Sequence, residues 1–223
     1  MKKLYSEVLS NVFKILLTIL VSLSAINLLS TVVYSVNETA YFDYAYELDS
    51  FVSLFGTVLF YIVLVVYLVW IYRIHMDLQS LFPFYSRSPG MALACNMIPI
   101  FNIYGIPSVF LRIGRQFDGT PSTSRQGQFI IGMVAPLILL YLLDNSVSRY
   151  LARLDTEPSA TLLIVSGVLT TALYTCYLTL CVQISRALAR SAQQAASSSP
   201  DLDAASGIAP ERSAVPQHAY RLK

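Results

Sequence analysis

A chain of 223 residues that is 55% hydrophobic, only 13% charged and of mean hydropathy +0.58 is too apolar for a soluble domain, where about a quarter of residues carry charge. A formal charge of +2 without any Lys/Arg run excludes a nucleic-acid-binding stripe. Cys95, Cys176 and Cys181 lack the CxxC spacing of a metal site or redox dithiol and read as small buried hydrophobes.

Lys2 and Lys3 precede an apolar run, 12–36, interrupted near its start by Lys14. The run exceeds the roughly 20 residues that cross about 30 Å of hydrocarbon. A cleaved signal peptide has a core of about 7–15 residues and an AxA-like site, so the run predicts a retained transmembrane helix, with Lys14 reaching to the interface. Residues 37–50 hold Glu38, Asp43, Glu47 and Asp49 among Tyr41, Phe42, Tyr44 and Tyr46, with no Lys or Arg. The positive-inside rule places that stretch away from the cytoplasm. The second span, 51–72, is uncharged; a run this long in lipid satisfies its backbone as a helix despite its β-branched content.

Residues 70–118 form the densest collection of polar and backbone-breaking residues in the chain. On a continuing helix Trp70, Arg73 and Asp77 share one face, and His75 lies opposite, in line with Leu68 and Tyr72. One reading is interfacial anchoring with an Arg73–Asp77 ion pair; the other is a polar pocket shared with the next segment. That segment, 88–111, has no charge, yet Pro89, Gly90, Asn96, Pro99, Asn102, Gly105 and Pro107 interrupt it. Each interior proline frees a carbonyl one turn back, which is costly in hydrocarbon unless protein or water covers it. The segment is expected to be broken or re-entrant, with Asn96 and Asn102 as partners for freed backbone groups.

The residues W-I-Y-R-I-H-x-D-L at 70–78, S-P-G-x-A at 88–92 and I-P-I-F-N-I-Y at 98–104, followed by Pro107, resemble the bacterial membrane family known as domain of unknown function 4328. Its pattern runs W-[LV]-Y-R-A-H-R-N-L, then P-G-W-A, then P-x-x-N-L-[WF] and a proline. Trp70, Tyr72, Arg73, His75, Pro89, Gly90, Pro99, Asn102 and Pro107 carry the resemblance. Asp77 stands where the family usually has Asn, and Met91 and Asn96 where it often has Trp. The resemblance implies a multi-pass protein of a bacterial inner membrane and brings no established activity.

A third span, 126–143, carries a kink at Pro136; a polar loop, 144–159, follows; the fourth span, 161–184, is bounded by Arg186 and Arg190. Residues 191–223 read as a disordered cytoplasmic tail, too rich in Ala, Ser, Gln and Pro to support a core. With four spans, only Arg149 and Arg153 of the 15 Lys and Arg fall outside the cytoplasm; if 88–111 crossed, the split would be almost even. The positive-inside rule therefore predicts an all-α polytopic bundle, four spanning helices plus one Pro/Asn-broken or re-entrant segment, with both termini cytoplasmic.

The function expected is non-enzymatic: a polar, cytoplasm-facing pocket of Trp70, Arg73, His75, Asp77, Asn96, Pro99 and Asn102 that binds a ligand, lipid or partner. The alternatives are an oligomeric small transporter or channel and a structural or accessory membrane subunit. An enzyme is the least supported class, with no GxSxG, HExxH or Gly-rich phosphate loop. No cofactor or metal is expected; a bis-histidine haem would need a second membrane histidine, and His218 lies in the tail. The expected partners are the lipid bilayer, a second copy of the chain or another membrane protein, and no nucleic acid.

Overall fold

In the computed structural model, residues 4–197 are described, except for the side chains of residues 99–102. Their regular elements are all helices: α1 (Glu7–Val36), the single turn α2 (Glu38–Ala40), a π-helical turn (Tyr41–Ala45), α3 (Tyr46–Leu81), α4 (Pro89–Met97), α5 (Pro99–Asp118), α6 (Ser124–Leu151) and α7 (Ala160–Ser197). Four helical stretches, Glu7–Val36, Glu38–Leu81, Ser124–Leu151 and Ala160–Ser197, are long and apolar enough to cross a membrane. They leave Ile15, Leu54, Val65 and Leu139 exposed on their outward faces. So much apolar surface is what lipid accepts and water penalises.

The helices overrun the expected spans, and each overrun has a local or packing cause. The stretch 37–50 is almost wholly helical. Only Asn37 is extended, and its side chain accepts from Ala40 N at 3.0 Å as an N-cap. The rings of Tyr34 and Tyr41, 5.2 Å apart, then pin the reversal from α1 into α3. Helix α6 runs on through Asp144, whose carboxylate accepts from Thr170 Oγ1 of α7 at 2.6 Å. Helix α7 continues past Ser191 to Ser197, because its Ala- and Gln-rich end favours extension of a helix already nucleated; the remainder of the expected tail lies outside the described residues.

The Pro/Asn-rich stretch is broken into two helices. Pro99 forces the residue before it out of the α region, and Ile98 is accordingly extended at φ −86°, ψ 115°. Pro99 then begins α5 at a position where no donor is required. Helix α4 has a Ser88 cap, accepting from Met91 N at 3.2 Å, and Pro89 in its first turn. The two helices return on each other as a hairpin. A Cβ on Gly105 would fall 2.8 Å from the Cys95 carbonyl carbon, so only glycine permits this approach. At the inner end of the hairpin Asn96 Oδ1 accepts from Tyr67 Oη at 2.9 Å, at a level about 15 Å along α3 from Asp77.

The long helices alternate in direction. Tyr5 meets Asp77, Ser10 meets Trp70 and Asn27 meets Asp49 along the α1–α3 pair; Ser24 meets Thr171 across α1 and α7 at 2.7 Å. Helices α5 and α6 cross at Gly114 and Gly127, where a Cβ on Gly127 would sit 2.7 Å from Asp118 Cα. One end of the bundle thus gathers the start of α1, the ends of α3, α5 and α7 and the start of α6. The opposite end gathers the 37–46 reversal and the connection between α6 and α7.

Candidate functional site

The sequence-predicted polar residues fall into three separate places. Trp70, Arg73 and Asp77 form a seam against the first residues of α1. Asp77 is 1% exposed and takes the backbone N–H of Tyr5 and of Ser6 on its two oxygens, each at 2.9 Å. Arg73 Nη1 donates to Tyr5 O at 3.1 Å, and Trp70 Nε1 donates to Ser10 Oγ at 3.0 Å. The start of a helix leaves four N–H groups without intrahelical partners and carries a partial positive charge. Asp77 satisfies both needs from another helix. Both side chains of the expected Arg73–Asp77 pair are instead engaged with the chain start.

His75 faces away from that seam, as its helical position requires. It is fully buried; Nδ1 donates to Ile71 O at 2.8 Å, and its ring lies 5.7 Å from that of Tyr85. Burial pushes the Tyr85 phenol well above its ordinary value, with Arg87 and Arg112 pulling the other way, so Tyr85 stays a neutral hydroxyl.

Asn96 stands in the third place, an interhelical cleft of about 540 Å³. Its side-chain amide donates to Ala92 O at 2.8 Å within α4, a carbonyl other than those one turn before Pro99 and Pro107. The cleft runs between α1, α3, α6 and α7, with Asn96 and Ile106 of the hairpin at its inner end. Phe13, Leu17, Leu20, Val63 and Leu173 make apolar walls. Polar groups sit at two levels: Tyr67 and Asn96 within, and Asn27, Asp144, Asn145 and Thr170 towards the 37–46 end. Apolar walls with a few placed polar groups are the general form of a small-molecule site. The side chains of Pro99 and Asn102 lie outside the described residues, and the backbone of both belongs to α5.

Sequence reasoning missed Asn27, Tyr67, Asp144 and Thr170. Asn27 is a lone amide deep in an apolar run and Asp144 ends another; an isolated polar group in a span signals a partner across the bundle. Among the described residues, no three His, Cys, Asp or Glu side chains gather as metal ligands. No family model, curated protein or solved structure matches the chain.

Proposed function

We propose that this is a multi-pass membrane protein that binds an amphiphilic molecule, a lipid or an apolar compound with one polar end, in the interhelical cleft, and that it acts by binding rather than by catalysis. The carrying observation is the cleft of about 540 Å³, apolar along its walls and polar at both levels. An apolar tail would lie against Phe13, Leu17 and Leu173. A polar end would take hydrogen bonds from the side-chain amides of Asn27 or Asn145, or donate to Thr170 Oγ1, whose own proton goes to Asp144. This reading moves the ligand away from the Arg73 and Asp77 face, whose hydrogen bonds are engaged with α1.

In this reading α4 and α5 form a re-entrant hairpin, and both ends of the described chain face the cytoplasm. The support is charge: Arg73, Arg87, Arg112, Arg115, Arg125 and Arg190 gather at the end that holds Tyr5 and Asp77, while Glu38, Asp43, Glu47 and Asp155 lie at the other. The resemblance to the domain of unknown function 4328 family is consistent with this arrangement of the 70–107 stretch.

Gly56 offers a direct test, because it lines the cleft and a Cβ there would meet nothing within 4 Å. Gly56→Phe is expected to fill the cleft without unfolding the protein. Native mass spectrometry of wild type gently extracted from its membrane should show a bound lipid-sized mass that this variant loses. Wild type without such a mass, or retention of it by a folded Gly56→Phe protein, would sink the proposal. Single cysteines at Phe84, Asp43 and Glu157, in a background lacking the native three, should label from the cytoplasm only at Phe84; labelling of all three from one side would overturn the topology.

A further inference from the structure

Arg87 lies in the 82–88 connection, immediately before α4, and is only 7% exposed. A guanidinium removed from water normally meets a carboxylate or a set of strong acceptors. Here Nη1 donates to Ser108 Oγ at 3.1 Å and Nη2 to Cys95 Sγ at 3.0 Å, while Nε has no partner. A hydroxyl and a thiol are neutral, and the thiol is a weak acceptor. The Nε and Nη2 edge, which grips an oxyanion with two parallel hydrogen bonds, therefore holds nothing stronger than sulfur.

Two more buried polar atoms nearby lack partners. Tyr85 is 6% exposed with a free hydroxyl, and His75 is fully buried with a free Nε2. Arg112 stands at the exposed side of the same connection, donating through Nη1 to Ser86 Oγ at 3.0 Å. Among the described residues, no Asp or Glu hydrogen-bonds to either arginine. The N-terminus of α4 opens beside Arg87 and adds its partial positive charge. A buried arginine and a buried hydroxyl, both donors short of partners at one end of the bundle, describe a site short of an anion. His75 Nε2 is an acceptor, because Nδ1 carries the proton given to Ile71 O, and adds nothing to that demand.

We propose that Arg87, with Tyr85 behind it and Arg112 at the mouth, binds a phosphate-type oxyanion. The phosphate accepts from Arg87 Nε and Nη2, displacing the Cys95 contact, and from the Tyr85 hydroxyl. Arg112 leaves Ser86 to close over the exposed oxygens. The same chemistry is supplied by a soluble phosphate or by the headgroup of an anionic lipid. Phe84, 96% exposed on the same connection, would place the mouth at a membrane surface. The site is separate from the interhelical cleft and does not depend on what the cleft binds.

The test uses the full-length protein in neutral detergent, titrated with inorganic phosphate, and in phosphatidylcholine nanodiscs with and without phosphatidic acid, followed by thermal unfolding. Wild type is expected to show a saturable rise in Tm with at least one probe. A rise with inorganic phosphate assigns a soluble ligand; a rise with phosphatidic acid alone assigns a lipid headgroup. Arg87→Gln is expected to abolish the rise. Tyr85→Phe removes only a hydroxyl without a partner, so it should fold as wild type yet bind about tenfold more weakly, the worth of one hydrogen bond to a charged group. Arg115→Gln, at the same end but outside the cluster, should behave as wild type. No saturable rise with either probe, an unchanged response in Tyr85→Phe, or an equal loss in Arg115→Gln would overturn the proposal.

Discussion

Removing the Asp77 carboxylate is expected to free the start of α1 from α3. Both acceptor oxygens are engaged by backbone N–H groups at 2.9 Å, and Asp77 and Ser6 are each 1% exposed, so solvent screens neither partner. A hydrogen bond to a charged group contributes roughly 1.5–3 kcal/mol, and a buried donor left alone costs a further share of its desolvation. Tyr5 is exposed and its N–H can return to water, whereas that of Ser6 cannot. Asp77→Ala is therefore expected to destabilise the protein by about 2–4 kcal/mol, and Asp77→Asn, which keeps one acceptor but no charge, by about half of that. The reporter is built in. Trp70, the sole tryptophan, is 1% exposed, bonded to Ser10 and 5.0 Å from the ring of Phe13, so its fluorescence reads this seam. Unfolding in mixed detergent micelles, followed through Trp70, should show the lower midpoint together with red-shifted emission before global unfolding. If Asp77→Ala stays within about 0.5 kcal/mol of wild type, with unshifted emission, the seam is not what holds α1.

Gly127→Ala places a methyl against Asp118 Cα and Gly114 O, each 2.7 Å from the ideal Cβ position; backbone at the crossing cannot yield as a side chain would. The expected loss is about 1–3 kcal/mol or more, measured as a fall in Tm, and a neutral result would show that α5 and α6 do not cross this closely. Tyr67→Phe deletes the donor to the buried Asn96 Oδ1. A loss of about 1–2 kcal/mol is expected, with faster hydrogen exchange in α4, and unchanged exchange there would detach the hairpin from α3.

The sites differ in how far they could be anticipated from residue spacing. Trp70, Arg73 and Asp77 were legible as one helical face, because a period of 3.6 residues puts them there in any helix. What they touch was not legible: the nearest charge in sequence suggested an Arg73–Asp77 pair, and the start of α1, 71 residues away from Asp77, took the carboxylate instead. Nothing in the residues beside Arg87 announces that Ser108 and Cys95 will enclose it.

Helix content, the four long apolar helices and the break before Pro99 all follow from short-range physics. Apolar runs of this length must close their hydrogen bonds within themselves, and a proline acts on the residue beside it. The cleft, the seam and the buried arginine depend instead on which faces of six helices meet. Their contacts join groups far apart along the chain, such as Tyr67 with Asn96 and Asp144 with Thr170. Such meetings are set by glycine-permitted crossings and by the demand of each buried polar group for a partner, and neither is encoded within one helix.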